Sequence, residues 1–168
     1  MTTIADIRAR IRKDLRDEEA AAYRWSDEEL DRHIDRAVRA YSNYAPLHQR
    51  TLLSTVAGSR WLDLTGLVGL IRVVRVEYPI GLYPPAYAPF SAWGTGLLLL
   101  IDEEPDGREA EIYWFKVHTL DTSGSTVPAH HEDLIATGAA AYAALAWASF
   151  ATNRVNVGGE AVDRKSVV

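Results

Sequence analysis

Few side chains in this sequence have the type and spacing that chemistry requires. His130, His131, Glu132 and Asp133 form the densest run of metal-ligating types. Adjacent histidines on a helix diverge by about 100°, and no second ligand follows at i+4, so the run does not form a zinc pattern. Glu132 and Asp133 are expected instead as acidic residues of a helical first turn, where the helix dipole favours them. Asp102, Glu103, Glu104, Asp106 and Gly107 have the composition of a calcium loop but lack its alternating ligands and closing glutamate. A charged, soluble hairpin tip is the expectation there. His118, Asp121, Ser123 and Ser125 could furnish a nucleophile and base, yet no strained elbow or oxyanion-hole glycine pattern accompanies them. Phosphate loops, dinucleotide fingerprints and paired-histidine motifs are missing from the sequence. The expectation is therefore no catalytic residue, no cofactor and no bound metal.

Composition narrows the classes further. Within 168 residues, 18 basic side chains face 23 acidic ones, a formal charge of -5. That is the wrong sign for a protein that grips phosphate backbones broadly. With no cysteine, disulfides, thiolate zinc sites and cysteine nucleophiles are excluded. The opening Met1 to Arg12 is charged and carries no signal-peptide core, which predicts a chain that stays in the cytoplasm where it is made. Pro84, Pro85, Ala86 and Tyr87 spell a WW-domain ligand, but a stiff loop with its tyrosines packed on a sheet explains the same residues.

The elements that would carry these residues follow from periodicity. Ile4, Ile7, Ile11 and Leu15 mark a first helix, with Thr3 and Asp6 as its capping box. Ser26 and Glu29 start a second, with Trp25 placed to pack onto Leu30; its stripe is Leu30, Ile34, Ala37, Val38 and Tyr41, and Pro46 ends it. The pairs Asp6/Arg10, Glu28/Arg32 and Asp35/Arg39 read as solvated outer faces. From Gln49 the period becomes two. Residues 52–56 and 60–64 are predicted to pair as a hairpin across Ala57, Gly58 and Ser59. Leu70 to Tyr78 is a further strand, Phe90 to Trp93 and Leu97 to Ile101 a second hairpin, and Glu109 to His118 a last strand. Pro128 opens a third helix running to about Asn153, after which Gly158 and Gly159 mark a stop. The predicted class is α+β: a small bundle of three main helices with an antiparallel β-sheet insertion between helices two and three. One domain covers 1–168, with 1–46 and 128–153 helical, 50–118 the β insertion and 154–168 a C-terminal arm.

From Leu134 to Ala151 the third helix has no charge. It approaches the length of a membrane span, about 18 apolar residues. Half of it is alanine, so the gain on entering lipid is small, and a buried or subunit-facing helix is the better reading. One small domain can hardly cover all its sides. Self-association through Ala136, Ala140, Ala143, Trp147 and Phe150 is the expected outcome.

Taken together, the order of elements resembles the head-to-tail adaptor, or neck connector, proteins of tailed bacteriophages, and is similar to the tubular tail protein A of podophages. The residues that carry the likeness are Ile4 to Leu15, Tyr23 to Ile34, Glu77 to Tyr87, Phe90 to Gly94, Tyr113 to Asp121, and Gly138 to Gly159 with its Ala-Ser-Phe-Ala-Thr-Asn-Arg-Val-Asn run. The resemblance implies a structural virion subunit, assembled in the bacterial host cytoplasm into a ring, commonly a dodecamer, between the portal protein and a downstream neck or tail protein. Genomic DNA would pass through the lumen without specific binding, and no membrane is involved. It also implies portal or tail contacts by the C-terminal arm, for which Arg154, Asn156, Val157 and Arg164 are the candidates. Similar proteins often continue past the glycine pair into a further helix, which this sequence does not show. The alternative class is a small cytoplasmic enzyme or host-modulating binding module that dimerises through the alanine-rich helix.

Overall fold

The structure, a computed structural model, describes residues 2–155, with side chains through Thr152. The described residues form two compact units. One combines the chain up to Ala37 with the chain from Leu120 onward, and the other is Val38–Thr119.

The helical unit begins with α1 (Ile4–Asp14), closed at its N-terminus by the expected capping box. Thr3 Oγ1 accepts from the Asp6 amide at 3.4 Å while the Asp6 carboxylate accepts from the Thr3 amide at 2.8 Å. Ile7 and Ile11 are buried. The helix ends in a Schellman turn: the Arg16 amide donates to the Lys13 carbonyl and the Asp17 amide to the Arg12 carbonyl. Arg16 holds the left-handed position with φ 53°, where glycine is usual. A short 3-10 turn (Ala20–Ala22) leads to α2 (Asp27–Tyr44). Its start is the predicted Ser26/Glu29 reciprocal cap, with bonds of 3.2 and 2.8 Å. Pro46 follows directly, and no α-helix continues through it.

After a 3-10 turn (Ala129–His131), α3 (Glu132–Val155) completes this unit. Its buried positions are Glu132, Ile135, Ala136, Ala139, Ala140 and Ala143, a strict helical stripe that packs with α1. Alanines let the helices approach closely: a methyl placed on Gly138 would lie 3.6 Å from Ala37 Cβ of α2.

The second unit holds β1 (Leu47–Ser54), β2 (Trp61–Asp63), β3 (Leu70–Glu77), β4 (Phe90–Trp93), β5 (Gly96–Leu99) and β6 (Glu109–Lys116). The class is α+β, with three α-helices among the described residues and antiparallel strands lying in sequence between the second and third. The single inserted sheet expected from periodicity is instead two three-stranded sheets, β1-β6-β3 and β2-β5-β4. Gly58 does turn, with φ 76° and a Val56–Ser59 bridge, but the strands on either side of it enter different sheets. β1 pairs with β6, Leu52 opposite Glu111, and β2 pairs with β5, Leu62 opposite Leu97. The reason is burial. Leu62, Leu97 and Leu99 of one sheet and Val76, Ala110, Ile112 and Trp114 of the other enter one core cluster, which a β1–β2 hairpin would not build. The β4–β5 hairpin over Gly94 and the alternation along β6 are as expected.

Candidate assembly surface

Among the described residues, no group of three or more His, Asp or Glu side chains is placed to hold a metal ion. His130 and His131 sit in the 3-10 turn before α3, not on the helix. Their rings lie 4.0 Å apart. Glu132 is buried, accepting from Thr2 Oγ1 at 2.8 Å and pairing with Arg10 at 3.3 Å. His118 donates its amide to Ser42 Oγ at 3.0 Å, and its ring nitrogen lies 3.0 Å from the Ala45 carbonyl, a structural anchor in the β unit. Asp121 accepts the amides of Ser123 and Gly124, closing its own turn. The acidic tip is held by Arg60, which bonds the Ile101 and Asp102 carbonyls and pairs with Glu104 at 3.0 Å. In the proline loop the segment around Tyr87 is stitched to the end of β3, the Tyr78 amide donating to the Ala86 carbonyl and the Ala88 amide to Val76. Tyr87 stands edge-on to Tyr113, whereas Tyr83 is fully exposed and not packed on a sheet.

The surface that stands out is on α3. Ala136, Ala140 and Ala143 face inward, in the chain's own helical unit. From Ala144 through Phe150 every residue is exposed, and none of them carries a charge. Leu145 is 67%, Phe150 49% and Trp147 38% exposed. An apolar helix end left this exposed is a candidate interface by the ordinary balance of apolar area. Ala129–Thr152 is also long and apolar enough, by length and composition, to cross a membrane, and less than a third of its most apolar 18-residue window is buried.

Local contacts hold the aromatic end of this face in place. Trp147 lies edge-on to Trp25 with centroids 6.2 Å apart and near Phe150 at 5.4 Å, while the Arg24 guanidinium sits 4.6 Å over the Trp147 ring. A cavity of about 290 Å³ opens beside them, lined among others by Trp25, His33, Ala146 and Phe150. Burial holds the His33 imidazole below its ordinary pKa, and the nearby Arg32 and Arg36 add to this.

The segment carrying Arg24 and Trp25 is fixed by a buried arginine that periodicity does not single out. Arg12 pairs with Asp17 at 2.8 Å and Asp27 at 2.7 Å, bonds the Trp25 carbonyl at 3.1 Å, and lies 3.5 Å from the Tyr23 ring centre. The second oxygen of Asp17 accepts the Arg24 amide at 2.7 Å. The Schellman turn places Asp17 for this role. The hydrogen bond from Arg12 lowers the pKa of Asp27, opposing the desolvation that would raise it. Charged side chains also join helices: Arg8 pairs with Asp27 and Asp31, and Arg10, expected on a solvated face, pairs with Glu132.

The predicted contacts Asn156, Val157 and Arg164 lie outside the described residues, as does the side chain of Arg154.

An uncharged, partly exposed aromatic helix end is a surface of the kind that assembly proteins bury against a partner. The model of the SU10 adaptor protein family matches residues 2–163, nearly the whole chain, and the chain belongs to that family. It is a phage head-tail adaptor, a structural protein of the virion and not an enzyme. Membership implies oligomerisation and contact with other capsid or tail proteins. No curated protein matches the chain.

Proposed function

We propose that the chain forms a closed ring between the portal protein and the next neck or tail component, with genomic DNA passing through the lumen without specific binding. Twelve copies is the proposed number, and the arrangement is proposed to be like that of the podophage tubular tail protein A. Assembly would take place in the host cytoplasm. One domain over 1–168 remains the proposed organisation.

The observation that supports this reading is the bare face of α3. Its exposed leucine, tryptophan and phenylalanine would be covered by a neighbouring copy, with Trp147 and Phe150 at the centre of the subunit contact. Ala136, Ala140 and Ala143 serve the same contact from behind by seating α3 in its own unit. The acidic balance of the chain suits a channel wall, because a mildly repulsive surface does not trap a phosphate backbone. Arg154, Asn156, Val157 and Arg164 are proposed to reach the portal or tail partner.

Native mass spectrometry of the purified chain, alone and with portal rings, tests the proposal. A single closed oligomer, or ordered occupancy of portal rings, is expected. A chain that stays monomeric in both conditions overturns it.

A further inference from the structure

A second surface for contact between copies lies in the β unit. On the β1-β6-β3 sheet, the side opposite the Ala110, Ile112 and Trp114 core carries three cross-strand rows: His48, Phe115 and Arg72, then Arg50, Tyr113 and Arg75, then Leu52, Glu111 and Glu77. Arg72 lies 4.9 Å over the Phe115 ring and Arg75 4.4 Å over Tyr87. Among the described residues neither arginine pairs with a carboxylate, whereas Arg50 is 3.6 Å from Glu111. A concavity of about 450 Å³, lined in part by Arg50, Arg75, Tyr113 and Phe115, runs along this face. In an acidic chain, two exposed guanidinium groups over aromatic rings are a concentrated positive site, because the carboxylates of the next row, Glu77 and Glu111, are engaged by the Tyr113 hydroxyl.

The same unit presents the matching anions elsewhere. At the tip between β5 and β6, Glu104 is engaged by Arg60 and Asp106 by Arg108, but the carboxylates of Asp102 and Glu103 make no ion pair among the described residues. A second concavity, about 520 Å³, opens beside them with Tyr78, Pro79 and Ile101 in its wall. Arg60 fixes the tip's backbone at two carbonyls, so the free carboxylates project from a preordered loop.

We infer that the Arg72/Arg75 face of one copy receives the Asp102/Glu103 tip of the next. The two surfaces are distinct and complementary in charge. The contact is therefore heterologous, the head-to-tail type that closes into a ring when the rotation allows it. Planar guanidinium groups stacked on rings keep their edges free for carboxylate oxygens, which suits Arg rather than Lys at both positions. This inference rests on the ring reading above and adds to it a polar contact that would set register and direction.

A charge-swap experiment tests it. Arg72→Glu/Arg75→Glu makes both surfaces negative, and Asp102→Lys/Glu103→Lys makes both positive. Each variant alone, checked for fold by circular dichroism, should need at least about tenfold more protein to assemble than the parent. Mixed in equal amounts they should assemble again, as an alternating ring, because each then meets its complement. Arg72→Gln/Arg75→Gln, which keeps the side-chain length without the charge, should weaken assembly in the same direction should the glutamate variant not fold. If the parent forms rings and the folded variants do so equally well, the contact is overturned while the ring stands. The same holds if the mixture fails to recover. A parent that never assembles overturns the ring reading itself. Should the arginine variants instead lose binding to duplex DNA with assembly unchanged, the face is a nucleic-acid surface and the proposal falls.

Discussion

Arg12 is the residue on which the helical unit's local order converges. It is buried, and it satisfies two carboxylates, a carbonyl and an aromatic face at once. Arg12→Ala leaves Asp17 buried without its cation, and should cost about 3–5 kcal/mol in urea unfolding. Two neighbours separate this effect from others. Arg16, in the left-handed position, should tolerate glycine with a gain of about 0.5–1 kcal/mol, read as a shift of the urea midpoint at constant slope. In the β unit, a methyl on Gly96 would overlap the Trp61 ring at 1.8 Å, so Gly96→Ala should cost about 1–3 kcal/mol. Trp61 is half exposed and can move. Most of that cost should therefore vanish in the Trp61→Ala background, and a cycle showing full additivity would refute the packing account.

At the scale of elements, α3 changes character along its length. Up to Ala143 it is a core helix whose small side chains admit α1 and α2; beyond that it is a bare apolar face. Substitutions should divide accordingly. Ala140→Glu puts an unpaired charge in a closed site and should unfold the helical unit, with a loss of several kcal/mol. Leu145→Glu, on the exposed side, should change thermal stability little while abolishing oligomers in sedimentation. An α3 that spanned a membrane would reverse the second result, since both variants would then abolish insertion into vesicles. The sheets show the same logic of shared burial. β1 and β2 are neighbours in sequence and look like a hairpin, yet each finds a partner about 35 to 70 residues away. Pairing with β6 and β5 brings Leu62, Ile112 and Trp114 into one cluster.

Over the whole molecule, stability should depend on pH through groups with perturbed pKa values. His33 is held below its ordinary 6.5 by burial, so between 6.5 and its folded value the unfolded chain binds a proton that the folded chain resists. Stability is present above 6.5 and declines as the pH falls through that window. Asp27, held below 3.8 chiefly by Arg12, contributes stability above 3.8 that is lost as the pH falls through its lower folded value. Thermal melts of the parent from pH 7.5 to 5 should fall more steeply than those of His33→Gln. Equal slopes would remove His33 from the account.

The sequence by itself determined what is local. Both capping boxes, the stop at Pro46, the β4–β5 turn, the alternation along β6 and the uncharged run in α3 depend on neighbours within a few residues. The order of those elements was enough to point to a phage adaptor. The tertiary structure alone decided which strands share a sheet, which side of α3 is closed, and that Arg12, Trp25 and Trp147 act at one end of the helical unit. Those outcomes turn on contacts between residues tens to more than a hundred positions apart. Periodicity names the apolar side of an element but not the partner that will cover it, because that choice is made by the total area buried when all the elements pack at once.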